Sequence, residues 1–411
     1  MKSHLAIHGG IPVRRAPLPI SNPGSAVLGR EEADAAAAVL CAQSPFRYYG
    51  PNVLGKAKEF ERAFAQKLGA KHALGVTSGT AALIVALKAC GIGPGDKVIV
   101  PACTFIATAG AVLCAGAVPV FCDIDESLNM DPSKLEAVTD KYTRAVIPVP
   151  ILGAPCRMDE IMAEAKRLGL MVIEDVAQSM GCEYKGRACG TFGDIGAFSL
   201  QAHKMITTGE GGTVVTDDAR LYERAVRYHD QGLLREPEGL PGDELFAGQN
   251  YRMSEITGAV ACAQLQKLDG ILASLRKTKK IIKEELRGVV PFRRIDDEAG
   301  DAANTFMMLF PDAGLREAFG AALSAEGIAC GCLYGGKPVY MNPLIMGQKT
   351  VERSGFPYNQ FDELIVYTED MCPRAVEIMP RNLIVQLSPL FTEQDTEDII
   401  TAIKKVAMEV L

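Results

Sequence analysis

The sequence predicts an α/β protein, with a large domain on a mostly parallel seven-stranded sheet and a smaller C-terminal α+β domain. Short apolar runs alternate with helix-length amphipathic segments through the first two thirds of the 411 residues. Strands that alternate with helices form parallel sheets covered on both faces. The length and a hydrophobic content of 48% are sufficient for two cores. We place the large domain at residues 1–287 and the small domain at 288–411.

Apolar or β-branched segments are the predicted strands of the large domain: 72–76, 97–102, 118–124, 143–151, 170–176, 196–200 and 211–218. Amphipathic segments between them predict helices, for example "TAALIVALKACG" after the first strand. A stripe of leucines at helical spacing predicts one long helix, or two, over 253–287. In the small domain a loop leads into a strand at "NTFMMLF", and "TEQDTEDIITAIKKVAMEVL" is a capped C-terminal helix.

Composition excludes several classes of partner. The net charge of −7 argues against nucleic acid or an anionic membrane. The twelve cysteines contain no C-x-x-C pair and are typical of reduced, mostly buried thiols.

The N-terminus lacks the apolar core of a secretory signal, so we expect a cytoplasmic protein. Residues 98–122 are uncharged and long enough to span a bilayer, but Pro101 and Pro119 favour a buried strand, helix and strand.

One glycine-rich segment raises the possibility of a nucleotide site. "GPNVLGKA" matches G-x4-G-K, but Ala57 stands where a P-loop needs a Ser or Thr for magnesium, and no apolar strand precedes it. No G-x-G-x-x-G follows a predicted strand, so a dinucleotide site has no support either. The histidines show no metal-ligand spacing, and we expect no metal site.

A different phosphate site is expected directly after the first strand. In "VTSGTAAL", Ser78, Gly79 and Thr80 begin a predicted helix, where free backbone N–H groups and the helix dipole favour an anion. Gly79 lets the backbone approach a ligand closely. The alternative is an ordinary Ser or Thr cap of the helix.

The fifth strand ends in two carboxylates, Glu174 and Asp175. Ligands of open α/β sheets bind at the carboxyl ends of the strands. A carboxylate there can hold a cationic ring nitrogen, and Gln178 can donate to an oxygen of the same ring. Since neighbouring strand residues point to opposite faces, at most one of the two carboxylates is expected to face the site. The alternative is solvated loop charge.

Lys204 follows the sixth strand in "SLQAHKMITTGEGG". Desolvation at a buried strand end lowers the pKa of a lysine, and the neutral amine can form a Schiff base with an aldehyde. Ser199, five residues earlier, can reach an adjacent phosphate. The alternative is an ordinary solvated lysine. We interpret His203, its neighbour, as a packed or surface imidazole.

Together these sites match pyridoxal 5′-phosphate (PLP), because its phosphate, ring nitrogen and aldehyde each find a partner. The order of phosphate loop, Asp and Lys resembles that of the fold-type-I PLP enzymes. The chain is similar to the DegT/StrS-type sugar aminotransferases over nearly its full length. The resemblance depends on the combination of S-x4-K-x4-G-E-G-G, E-D-x-A-Q and G-x-N-Y-R-M, which begin at Ser199, Glu174 and Gly248.

The resemblance implies a role for each motif residue. Lys204 binds the cofactor covalently and transfers protons, Asp175 pairs with the ring nitrogen, and Gln178 contacts the ring oxygen. Phe105 stacks on the ring. The phosphate is held by Gly79, Thr80 and Ser199.

Asn250 is implied to reach the phosphate of the neighbouring subunit, so the resemblance implies a homodimer with shared active sites. The alternative for Asn250 is a turn residue, and for Phe105 it is core packing.

The implied reaction is a ping-pong transfer of an amino group from glutamate or glutamine to a carbonyl of a sugar-type acceptor, most often a nucleotide-linked keto-deoxysugar. The C-terminal segments lack the histidine of the "LPLHP"-like motif and resemble a branch that includes ketocyclitol and keto-octulosonate aminotransferases. A dehydratase is disfavoured because such relatives carry histidine in place of Lys204. The intact Lys204, Asp175 and Gln178 disfavour a non-catalytic regulatory member.

Overall fold

The computed structural model describes residues 4–237 and 239–411. The strands of its central sheet are β1 His72–Val76, β2 Lys97–Pro101, β3 Val118–Cys122, β4 Thr143–Val146, β5 Met171–Asp175, β6 Ile195–Ser199 and β7 Gly212–Thr216. Each predicted strand of the large domain is present. The fourth is shorter than predicted, because Pro148 and Pro150 have no N–H group to donate to a neighbouring strand.

The sheet order is β1-β7-β6-β5-β4-β2-β3. β7 runs antiparallel to both of its neighbours, and the other pairs are parallel. The predicted fold class, a mostly parallel seven-stranded sheet, is therefore confirmed. The carboxyl ends of β1 to β6 lie along one edge, which is where open α/β sheets bind ligands.

The α-helices in the described ranges are α1 Pro23–Ala26, α2 Arg30–Cys41, α3 Lys56–Leu68, α4 Gly79–Ala89, α5 Ile106–Cys114, α6 Met158–Leu168, α7 Ala219–His229, α8 Glu255–Glu285, α9 Ala313–Ala325, α10 Pro343–Met346, α11 Pro373–Ile378 and α12 Glu393–Val410. The leucine stripe forms one continuous helix, α8. The uncharged segment 98–122 folds as strand, helix and strand, as predicted. Across residues 4–237 and 239–411, every helix is too short or too polar to cross a membrane.

A second sheet follows α8. It pairs β8 Thr305–Leu309 with β9 Asn382–Gln386 in antiparallel fashion; α9 packs against β9, and α12 packs against α9 and α8. The N-terminus of α12 is capped as predicted, since Thr392 and Asp395 exchange side-chain and backbone hydrogen bonds. One apolar cluster extends from Phe64 and Phe198 to Phe306 in β8. The domain boundary after residue 287 stays a prediction.

Candidate active site

A cavity of about 530 Å³ opens at the carboxyl edge of the large sheet. It brings together residues that lie far apart in the sequence, from the ends of β1, β5 and β6 and from the start of α5. Among the predicted site residues, those that line it are Ser78, Gly79, Thr80, Phe105, Asp175, Gln178, Ser199 and Lys204.

Asp175 is the last residue of β5 and is buried. One carboxylate oxygen accepts a hydrogen bond of 2.8 Å from Thr108 Oγ1, and the other accepts from the Ala177 N–H at 3.1 Å. Burial raises the pKa of Asp175, whereas these two hydrogen bonds and the charge of Lys204 lower it. A cationic group next to the carboxylate would compensate for the cost of burying its charge.

Glu174 points to the opposite face of β5. Its carboxylate accepts from the backbone N–H groups of Gly190 at 2.7 Å, Phe192 at 2.6 Å and Gly193 at 2.7 Å. Glu174 therefore holds the loop that precedes β6, and the backbone N–H groups of that loop satisfy the hydrogen-bonding capacity of its carboxylate. The expectation that at most one of the two carboxylates faces the site is confirmed, and that residue is Asp175.

Lys204 lies in the turn after β6 and is partly buried. The backbone N–H of Lys204 donates to the Gln201 carbonyl at 2.9 Å, and the backbone carbonyl of Lys204 accepts from the Gly24 N–H at 3.0 Å. These backbone contacts fix the turn between the sheet and the N-terminal segment. Desolvation by burial lowers the pKa of the Lys204 amine, and the charge of Asp175 opposes that shift. The side chain thus has the properties of a reactive amine.

The start of α4 lies against the end of β6. A Cβ atom at Gly79 would lie 2.7 Å from Ser199 Cβ and 2.9 Å from Ser199 Oγ. A Cβ atom at Gly212 would lie 2.3 Å from the Ser78 carbonyl oxygen. Glycine is required at both positions, because any side chain would separate the helix from the sheet.

The same helix start has free donors. Ser78 Oγ accepts from the Ala81 N–H at 3.0 Å, so its side chain is a conventional helix cap. In the part of the chain that the structure describes, the N–H groups of Gly79 and Thr80 have no acceptor. Ser199 Oγ stands next to them. Two free backbone donors at a helix start beside a hydroxyl suit a bound phosphate.

Tyr334 lines the cavity and was not predicted from the sequence. Gln178 Nε2 donates to Tyr334 Oη at 2.8 Å, and the ring centroid of Tyr334 lies 6.5 Å from that of Phe105. Phe105 is 55% exposed, which leaves its apolar ring open to the cavity. The "YGG" sequence indicates a tight turn at Tyr334 but does not indicate that the turn lies at the carboxyl end of β5.

Asn250 and His203 lie at different distances from the cavity. Asn250 is exposed, forms an isolated backbone bridge with Asp230, and does not line the cavity of its own chain. His203 is exposed at the cavity edge, as expected for a surface imidazole. In the described ranges, no group of three or more His, Cys, Asp and Glu side chains could hold a metal ion.

The rejected P-loop motif lies at the start of α3. The Glu255 carboxylate accepts from the N–H groups of Lys56 at 2.7 Å and Ala57 at 3.0 Å. A carboxylate of the chain itself therefore occupies the position that a phosphate would take. The structure agrees with the sequence that this segment is not a nucleotide site.

The functional groups that line the cavity fit PLP. A buried carboxylate, a desolvated amine and a pair of free backbone donors line one cavity. The carboxylate matches the positive charge of the ring nitrogen, the amine can react with the aldehyde, and the backbone donors match the negative charge of the phosphate. The glycine at position 79 keeps the phosphate end open to the backbone. None of the described contacts within the cavity conflicts with this assignment.

Comparison with known proteins gives a consistent result. A model of the DegT/DnrJ/EryC1/StrS aminotransferase family matches residues 29–404. The chain is 38% identical over 282 residues to a GDP-perosamine synthase of Escherichia coli O157:H7, which covers 64% of this chain and 76% of that protein. It is 33% identical over 427 aligned positions to the L-glutamine:2-deoxy-scyllo-inosose aminotransferase of Streptomyces kanamyceticus, covering 98% and 97% of the two chains.

A solved structure is similar over the whole chain. DesI, determined in the presence of its TDP-sugar product, superimposes with a TM-score of 0.80 at 26% identity and covers 100% of this chain and 97% of its own. The family match spans far more than half of the sequence. This chain therefore belongs to the DegT/DnrJ/EryC1/StrS aminotransferase family, and its cofactor is PLP.

Proposed function

We propose that this chain transfers an amino group from glutamate or glutamine to a carbonyl carbon of a sugar-type acceptor. The observation that carries the proposal is that Lys204 and Asp175 face one cavity whose other end has free backbone donors. The amino acid leaves as its 2-oxo acid, and the carbonyl carbon of the acceptor becomes a C–N carbon. The two-electron oxidation of the donor equals the two-electron reduction of the acceptor.

Lys204 and Asp175 have complementary tasks in this proposal. When bound, PLP supplies an aldehyde that carries the amino group and a ring that withdraws electrons. The lowered pKa of Lys204 makes its neutral amine available to take a proton from the donor's α-carbon and to return one to the acceptor. Asp175, which accepts a hydrogen bond from Thr108, would pair with the ring nitrogen and keep it protonated. The proton on the ring nitrogen would then offset the negative charge that forms when the α-carbon loses its proton.

The remaining predicted residues position the cofactor. Gly79 and Thr80 would donate backbone hydrogen bonds to the phosphate, with Ser199 Oγ beside them. Phe105 would cover one face of the ring, and Gln178 would contact the ring oxygen. The exposure of Phe105 supports this role, because covering an exposed apolar ring with a flat ligand removes apolar surface from water and so favours binding.

For the acceptor we propose a nucleotide-linked keto-deoxysugar. Two similar proteins, the GDP-perosamine synthase and DesI with its TDP-sugar product, have names that refer to nucleotide sugars or their products. A ketocyclitol is the second candidate, because the 2-deoxy-scyllo-inosose aminotransferase is similar over 98% of the chain. The absence of histidine from the C-terminal sequence also supports this candidate.

We also propose a homodimer in which Asn250 of each subunit completes the phosphate site of the other. Asn250 is exposed and lies outside the cavity of its own chain. That position suits a residue that acts on a second copy.

One experiment tests the function and ranks the acceptors. The PLP-loaded enzyme is treated with glutamate until its visible absorbance is lost, freed of amino acid, and mixed with a keto-deoxysugar nucleotide, a ketocyclitol or a keto-sugar acid. The proposal predicts that at least one acceptor restores the absorbance and yields its amine by mass spectrometry. Loss of colour with glutamate but no recovery with any acceptor would contradict the sugar assignment. Lys204→Ala is the negative control.

A further inference from the structure

The hydroxyl group of Tyr334 is the feature that the proposed function leaves unexplained. It projects into the cavity from the small domain's side of the chain and meets Gln178, three residues after Asp175. Oη therefore lies at the carboxyl end of β5, near the reactive end of the cavity. Tyr334 and Lys204 line the same cavity, so one ligand bound there can contact both.

The hydrogen-bond direction leaves a proton available. Gln178 Nε2 is the donor to Tyr334 Oη, so the hydroxyl acts as acceptor in that contact. Over residues 4–237 and 239–411, no group accepts the hydroxyl's own hydrogen. Burial raises the pKa of Tyr334, and the phenol stays protonated at neutral pH. Its proton can therefore be donated to a ligand oxygen.

The backbone holds Tyr334 in an unusual conformation. Its φ of 52° is left-handed, as are those of Gly335 and Gly336, and tyrosine is disfavoured there. The turn is fixed by the Leu333 N–H, which donates to the buried Asn382 Oδ1 at 2.8 Å. Strained conformations that the surroundings impose are typical of functional sites. The residue held in this conformation lines the cavity.

We propose that Tyr334 determines acceptor specificity by donating a hydrogen bond to the hydroxyl group on a carbon next to the acceptor's carbonyl. The inference rests on the proposed function. Keto-sugars and ketocyclitols carry such a hydroxyl, whereas glutamate and glutamine do not. Tyr334 should therefore matter in the acceptor half-reaction and not in the donor half-reaction.

The test measures the two half-reactions separately by rapid mixing in Tyr334→Phe. The glutamate half-reaction should change by less than about twofold, and the acceptor half-reaction should slow about tenfold, as for the loss of one hydrogen bond. The control is Tyr367→Phe. The Tyr367 hydroxyl donates to the Pro119 carbonyl at 2.7 Å, outside the cavity, and both half-reactions should keep their rates.

A matched acceptor pair identifies the contact itself. For sugar nucleotides the pair is TDP-4-keto-6-deoxyglucose and its 3-deoxy analogue; for cyclitols it is scyllo-inosose and its 2,6-dideoxy analogue. The effect of Tyr334→Phe should be present with the hydroxylated member and absent with the deoxy member.

Equal slowing of both half-reactions, no slowing of either, or equal slowing with both acceptors would overturn the inference. In those cases wild-type enzyme still aminates the acceptor, so the proposed function survives. If wild-type enzyme aminates neither pair and none of the three acceptor classes of the screen above, the proposed function fails instead, because Tyr334 is intact in that protein.

Discussion

Thr108 Oγ1 donates a hydrogen bond of 2.8 Å to Asp175 Oδ2, and both residues are buried. Thr108 shares a second hydrogen bond of 2.8 Å with Thr104 Oγ1. The pair joins the first turn of α5 to the end of β5. Because burial raises the pKa of Asp175, its ionised form depends on this neighbour. If Asp175 binds the ring nitrogen as proposed, this contact links the order of α5 to the affinity for the cofactor.

We predict that Thr108→Val weakens PLP binding about tenfold or more, because a hydrogen bond to a charged group contributes about 1.5–3 kcal/mol. The measurement is a titration of apoenzyme with PLP, followed by absorbance. Thr213→Val is the matched control, since Thr213 Oγ1 is buried in β7 without a hydrogen-bond partner in the described residues. A Thr108→Val affinity within twofold of wild type would refute the proposed role.

The contacts of Gly79 allow a second prediction. Gly79→Ala should lower the free energy of unfolding by about 1–3 kcal/mol, because its Cβ would overlap Ser199. PLP affinity should fall with it. In the double variant with Ser199→Gly, stability should recover but PLP affinity should not. Denaturant unfolding and PLP titration measure the two effects.

The control for this prediction is Gly270→Ala in the exposed interior of α8, where a Cβ meets nothing within 4 Å. That change should stabilise the protein by about 0.5–1 kcal/mol. If Gly79→Ala also stabilised the protein, that result would contradict the close approach of α4 to β6.

The lowered pKa of Lys204 predicts that the stability of the apoenzyme and the rate of PLP attachment both depend on pH. Because burial lowers this pKa, the folded apoenzyme binds fewer protons than the unfolded chain between the two pKa values, and its stability should rise with pH there. The rate of PLP attachment should rise over the same interval, since the neutral amine reacts.

The charge of Asp175 raises the pKa of Lys204, so Asp175→Asn should move the midpoint of the attachment profile to lower pH. The rise of the visible absorbance at several pH values measures it. Asp159→Asn, at an exposed site paired with Lys185, should leave the midpoint unchanged. A midpoint that stays or rises in Asp175→Asn would contradict the electrostatic coupling.

The strands and the site residues at their ends could be predicted from the sequence, because apolar runs and the residues that follow them are local signals. Thr108 and Tyr334 could not. Thr108 meets Asp175 across 67 positions, and Tyr334 meets Gln178 across 156. Such contacts arise when separate elements converge on one sheet edge, and no spacing in the sequence encodes them.

The proposed dimer predicts complementation between two defective chains. Lys204→Ala lacks the reactive amine, and Asn250→Ala lacks the residue offered to the other subunit. A purified heterodimer of the two should contain one intact site and show up to half of the wild-type activity. Activity no higher than the mean of the two homodimers would contradict shared sites.

The central claim is that Lys204 carries the cofactor. Reduction of the PLP-loaded enzyme with borohydride fixes the cofactor to the lysine that holds it, and peptide mass mapping locates it. We predict one adduct, on Lys204, and none in Lys204→Ala. An adduct on another lysine, or full multiple-turnover transamination by Lys204→Ala, would contradict the assignment.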